Sequence, residues 1–171
     1  MYDIYSNARK DQWRFSLGKS GGRQLFVIGL NPSTANREKS DTTVAKVERV
    51  AELNGFDGFV MLNLYPVRST DYNALSVTAN AQAYTTNLDR IEELTCAEPN
   101  PQIWAAWGES IGARDYFRSS AAALISRLCE RGASWLHFGP LTNSGHPRHP
   151  SRLQYAWSLA PFDAGRYAQS L

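Results

Sequence analysis

A chain of 171 residues, 43% hydrophobic and 20% charged, has the size and balance of one globular domain and none of the character of a disordered segment. Eighteen Lys and Arg against sixteen Asp and Glu leave a net charge of +2, too small a field to recruit a polyanion to the whole surface. No apolar run approaches the roughly 18 residues of a membrane span, so a membrane partner is not expected.

Read from the start, Trp13-Arg14-Phe15-Ser16-Leu17 alternates, and Gly18 to Gly22 supplies a turn. That pattern predicts an edge strand leading by a hairpin into the core. Gln24 to Leu30 is a continuous apolar run ending in Asn31-Pro32-Ser33, the character of a strand covered on both faces. Asp41 is placed to cap a helix whose face carries Val44, Val47, Val50, Ala51 and Leu53, with Asn54-Gly55 as its stop. Gly58 to Leu64 reads as a second buried strand ended by Pro66. A helix follows from about Asn80 to Cys96, then a strand Ile103 to Trp107 closed by Gly108. A long helix from about Ser110 to Glu130 precedes a fourth strand, Ser134 to Gly139. Pro140 to Pro150 is a loop dense in Pro, Gly, Asn and His, and the tail from Asp163 reads as helical. Strands alternating with helices predict an α/β fold: a three-layer αβα domain over 1–171 with a central four-stranded, mainly parallel sheet plus an N-terminal edge hairpin.

Chemistry is narrowed by what is missing. Cys96 and Cys129 both fall in predicted helices, and no signal peptide is evident at the N-terminus. The expectation is a cytoplasmic protein with reduced, buried or half-buried thiols. Two cysteines cannot hold a four-cysteine cluster, and His137, His146 and His149 show no zinc spacing with them, so no metal is expected. A phosphate loop and a Gly-x-Gly-x-x-Gly fingerprint are absent; Gly18-Lys19-Ser20 sits in a turn without the upstream glycine and following helix. In the last third, Arg114, Arg118, Arg127, Arg131, Arg148, Arg152 and Arg166 outnumber the acids, which makes either a local basic face or ordinary helix surface.

Ligands of parallel sheets bind at the carboxyl ends of the strands, and here each such end carries distinctive residues. Pro32 biases Asn31 toward extended backbone, so its amide leaves the sheet end to hold water or a ligand carbonyl, or simply to make an Asx-type turn. The hydroxyls of Ser33 and Thr34 suit a phosphate. Asn63 interrupts an apolar strand; its amide needs hydrogen bonds from nearby backbone or from a ligand such as a nucleobase edge. His149-Pro150-Ser151-Arg152-Leu153 sets an imidazole, a hydroxyl, a cation and an apolar tip in five residues.

In order, these motifs resemble the uracil-DNA glycosylase superfamily. Gly29-Leu30-Asn31-Pro32 is similar to that superfamily's first motif in its mismatch-specific branch, and Met61-Leu62-Asn63 to the base-reading strand end. Trp107-Gly108 is similar to a later strand end, and His149 to Leu153 matches His-Pro-Ser-Pro-Leu at four of five positions. The chain also resembles an uncharacterised bacterial family with Leu-Asn-Pro-Ser-Thr-Ala, over roughly residues 10 to 157, which brings no established activity. The glycosylase resemblance implies that Asn31 positions the attacking water, that Leu30 and Asn63 hold the base, and that His149 stabilises charge on the leaving base. It implies further that Ser33, Thr34, Ser151 and Arg152 meet DNA phosphates, that Leu153 wedges into the duplex, and that no cofactor is needed. Three departures stand out: Arg152 replaces a proline, Asn31 replaces an aspartate, and no stacking aromatic follows the first motif, leaving Tyr65 as a substitute. A hydrolase of free nucleosides or nucleotides and a non-catalytic nucleobase-binding module are the competing expectations.

Overall fold

The computed structural model describes residues 1–171. In chain order its elements are β1 (Ile4–Ala8), β2 (Trp13–Lys19), β3 (Gln24–Gly29), α1 (Thr42–Leu53), β4 (Gly58–Asn63), α2 (Ala81–Cys96), β5 (Gln102–Ala105), α3 (Asp115–Cys129), β6 (Ser134–Phe138), β7 (Leu159–Pro161) and α4 (Ala164–Ala168). One sheet runs β1-β2-β4-β3-β5-β6-β7, with β4, β3, β5 and β6 parallel and the outer strands antiparallel. The α/β class holds, but the sheet has seven strands rather than four plus a hairpin.

The four parallel strands form where continuous apolar runs demand cover on both faces. Phe26, Ile28, Val60, Leu62 and Ile103 point into one core with α2 and α3. Leu25, Val27, Phe59, Met61 and Trp104 point into the other with α1. α1 presents Val44, Val47, Val50 and Ala51 to that core, each valine contributing about 1.5–3 kcal/mol by burial. Leu53 lies exposed at the end of the helix rather than on its buried face. Asp41 caps α1, its Oδ1 accepting from Val44 N at 2.9 Å, while its Oδ2 accepts from Ala35 N at 3.2 Å. Asn80 caps α2 in the same way, accepting from Ala83 N.

The N-terminal arrangement differs from the expectation. β2 pairs antiparallel with β4, so it is interior, and its hairpin partner is β1 across a turn at Arg9, Lys10 and Asp11, all at positive φ. β3 cannot receive β2, because β4 and β5 already occupy both of its edges. β7 is a three-residue edge strand against β6. The long helix begins only at Asp115: a 3-10 turn at Glu109–Ala113 precedes it, and extended backbone at Arg114 separates the two. Cys96 and Cys129 are exposed, on the outer faces of their helices, rather than buried. No helix is long and apolar enough to cross a membrane.

The connections locate the ligand end. The helix after β3 covers one face, whereas the helix after β5 covers the other. Loops leaving adjacent strands in opposite directions open a crevice at their carboxyl ends.

Candidate functional site

A cavity of about 500 Å³ occupies that crevice. Asn31 from the β3 end, Asn63 from the β4 end, Trp107 and Gly108 from the β5 end, and His149 from the loop after β6 all line it. Side chains distant in sequence therefore meet at one rim of the sheet.

Asn63 is 1% exposed, and neither Nδ2 nor Oδ1 has a hydrogen-bond partner in the protein. Its backbone is held rigidly, since the Asn87 amide of α2 donates to the Asn63 carbonyl at 2.8 Å. An unpaired buried polar group costs about 1–3 kcal/mol, and this one faces a cavity. The Asn63 amide thus offers one donor and one acceptor, side by side, to whatever enters.

Asn31 is oriented by its surroundings. Its Nδ2 donates to the carbonyls of Ser69 at 3.0 Å and Pro32 at 3.1 Å. Both partners only accept, so the nitrogen is fixed there and Oδ1 is left as a free acceptor. No backbone N–H donates to Oδ1, so the Asx-type turn does not form and the oxygen is left for a water or a ligand donor. The bend after it is pinned by Arg68, whose Nη1 donates to the carbonyls of Ser33 and Ala35 at 2.6 and 2.8 Å.

His149 opens a 3-10 turn at Pro150–Arg152, and Ser151 N donates to its Nδ1 at 3.2 Å. A backbone N–H can only donate, so Nδ1 accepts and the ring proton of the neutral imidazole sits on Nε2. Burial, opposed by Asp41 and assisted by Lys46, lowers the pKa from 6.5 to about 4. His149 is consequently a neutral N–H donor at ordinary pH. Gly108 makes its seat: φ is +75°, a Cβ there would lie 2.9 Å from His149 Cβ, and Gly108 N donates to Pro147 O at 3.0 Å. Trp107 is locked by donating Nε1 to Tyr167 Oη, whose hydroxyl lies 2.8 Å from His146 Nδ1 and is pushed up to about 12 by burial. His146 is thereby a support for Trp107, and His137 bonds Gly139 O.

Other expected residues separate into two groups. Leu30, Ser33, Ser151 and Arg152 line the cavity or its mouth, while Thr34 is exposed and outside it. Leu153 is 8% exposed and packed in the core beneath α1, so it is not the free apolar tip that a wedge requires. Tyr65 does not reach the cavity either: it stacks on Tyr116 and its hydroxyl accepts from Asn80 N. Tyr72 and Trp107 are the aromatic rings lining the space. Of the arginines in the last third, Arg127 and Arg131 pair with Glu92 and Arg114 donates to carbonyls of residues 73, 75 and 76; Arg118 and Arg166 are exposed without a paired carboxylate, and Arg148 and Arg152 line the cavity. No group of three or more His, Cys, Asp or Glu is placed to hold a metal ion.

Two lining residues carry no sequence signal. Asp41 reads only as a helix cap, yet it borders the cavity. Arg14, in an alternating strand, reads as solvent-facing, yet it is 2% exposed and lines the same space. The β1–β2 register supplies the reason: Ser6 pairs Ser16 and Asn7 pairs Arg14, so Phe15 is an extra residue. That bulge inverts the alternation, sending Phe15 into the α2–α3 core although Leu17 is in the α1 core, and turning Arg14 toward Ala35 and the cavity.

The fold and the cavity define an α/β protein with a ligand-sized site at the switch point of a parallel sheet. The chain belongs to the family described as protein of unknown function, DUF1643, whose model matches residues 12–151. That span includes Arg14, Asn31, Asn63 and His149 and leaves out β1, β7 and α4. No curated protein and no solved structure matches the chain.

Proposed function

We propose that the cavity receives a pyrimidine base and hydrolyses its N-glycosidic bond, in DNA carrying a damaged or modified base. The observation that carries this reading is the buried, unpaired amide of Asn63 lining the same cavity as an Nε2–H donor on His149. The pairing edge of a pyrimidine presents an adjacent donor and acceptor, the complement of an amide. The ordered motifs similar to those of uracil-DNA glycosylases support the same assignment.

In the reaction, a water held by Asn31 Oδ1 forms a bond to C1′ of the sugar. The C1′–N bond breaks, its electron pair passing into the base and onto the ring carbonyl oxygen. His149 Nε2–H donates to that oxygen as charge develops. The water's proton leaves to solvent, and the departed base is protonated from solvent. Ser151 and Arg152, at the cavity mouth, suit contacts to the flanking phosphates.

A second reading, hydrolysis or binding of a free nucleotide, is favoured by the burial of Leu153, which removes the wedge used to hold a flipped base out of a duplex. The test incubates the protein with single- and double-stranded oligonucleotides carrying uracil, hydroxymethyluracil or mismatched thymine, and with free nucleotides, and measures released base by chromatography. Release from the oligonucleotides, reduced about 100-fold or more in Asn31→Ala and in His149→Ala, is the expected result. Release from nucleotides alone selects the second reading. Binding without release in every case identifies a recognition module.

A further inference from the structure

Arg14 is the one buried cation of the cavity wall, and it has no direct ion-pair partner, although Asp41 across the same cavity and Asp11 offset part of its charge at longer range. No carboxylate lies within ion-pair distance of its guanidinium. Its single side-chain hydrogen bond runs from Nη1 to Ala35 O at 3.1 Å, and Nε is buried without any partner. The Ala35 bond does not account for the residue, because Arg68 already donates to the same carbonyl at 2.8 Å. Arg68 also has a counter-ion of its own in Asp11 at 3.1 Å, so the two guanidiniums repel across a shared acceptor with only one of them paired. Desolvation and this neighbour together bring the Arg14 pKa down to about 10. An isolated buried charge is expensive, and the bulge at Phe15 exists in a strand that would otherwise turn Arg14 away.

We propose that Arg14 is an anion subsite: the ligand of this cavity carries a carboxylate or a phosphate monoester that docks on its guanidinium. This deepens the second reading, the free nucleotide, and rests on the base binding that both readings share. A guanidinium 2% exposed is too deep for the diester backbone of a polymer lying across the mouth, so the anion belongs to the small molecule inside. The cavity, about 500 Å³, accommodates a pyrimidine together with such a group. Arginine's planar fork holds either anion in a bidentate pair.

The test is calorimetric titration with uridine, uridine 5′-monophosphate, orotate and inorganic phosphate. At least one of the two anionic pyrimidines should bind about 10-fold or more tightly than uridine, as charge-assisted bonding to a buried cation requires. Whichever of them does so identifies the anion as phosphate or carboxylate. Arg14→Met should abolish that preference while changing uridine affinity less than about 2-fold. Should Arg14→Met fail to fold, the double variant Arg148→Gln, Arg152→Gln decides, since those are the other arginines lining the cavity. Preference retained there leaves Arg14 as its source, and preference lost there overturns the proposal. Equal affinity for uridine and both anions also overturns it, with the base reading left intact. Arg14-dependent phosphate binding without any uridine binding does the reverse.

Discussion

Gly29 and Asn63 stand opposite each other in the parallel β3–β4 ladder, and the missing side chain of one makes room for the amide of the other. A Cβ at residue 29 would lie 2.6 Å from Met61 Cε and 3.1 Å from Asn63 Oδ1. Gly29→Ala is therefore expected to displace the amide, weakening ligand binding about 10-fold and lowering stability by about 1 kcal/mol, at the low end for overpacking because the methionine end can yield. Titration calorimetry and thermal melting measure the two effects; a variant with unchanged affinity would show that the amide is not positioned by this gap.

Asn63 itself is expected to trade stability for function. Both of its side-chain polar atoms are buried without partners, so an apolar replacement removes a desolvation cost of about 1–3 kcal/mol. Asn63→Leu should melt higher than the native chain by about 2–4 °C for each kcal/mol recovered, and it should bind no base. A variant that melts well below the native protein would mean the amide is satisfied in solution and contributes to the fold.

His149 should be neutral across the usual working range. Its folded pKa of about 4 lies below the ordinary 6.5, so protonation opposes folding. The stability associated with the neutral ring is complete above about pH 6.5 and is lost as the pH falls toward 4. Ring resonances followed by NMR should show one of the three histidines titrating near pH 4, and base release should show no His149-linked fall between about pH 8 and 5. A midpoint near 6.5 would place the ring in open solvent.

Gly108→Ala is expected to damage the site more than the fold. The added methyl meets His149 Cβ at 2.9 Å and sits on backbone at φ +75°. With ψ at −175° this is backbone that essentially only glycine adopts, costing another residue about 1–3 kcal/mol, and the loop carrying the imidazole must move. Activity should fall at least about 10-fold, as misplacement of a reacting group implies. Full activity in a folded variant would separate His149 from the chemistry.

Where the sequence could be read, the reason is local. The runs at Gln24–Gly29 and Gly58–Asn63 are apolar on both sides because both faces are covered, and Asp41 and Asn80 announce helix starts by their capping chemistry. Asn31, Asn63 and His149 stand out because polar residues punctuate apolar strand ends, and all three reach one cavity. What stayed hidden depends on tertiary context. Whether β2 pairs with β3 or β4 is settled by competition for strand edges, and β7 is too short to carry a pattern. Arg14 is concealed by a single extra residue that reverses an alternation, while Leu153 looks like a tip until the core beneath α1 is seen to enclose it.

The most direct measurement follows the side-chain amide of Asn63 in protein labelled with ¹⁵N-asparagine, its signal assigned by its loss in Asn63→Leu. Titration with uridine 5′-monophosphate should shift that signal strongly downfield as the unpaired Nδ2 and Oδ1 take up the pyrimidine edge. An Asn63 signal unmoved at saturating concentrations of uridine, uridine 5′-monophosphate and a uracil-bearing oligonucleotide would contradict the account.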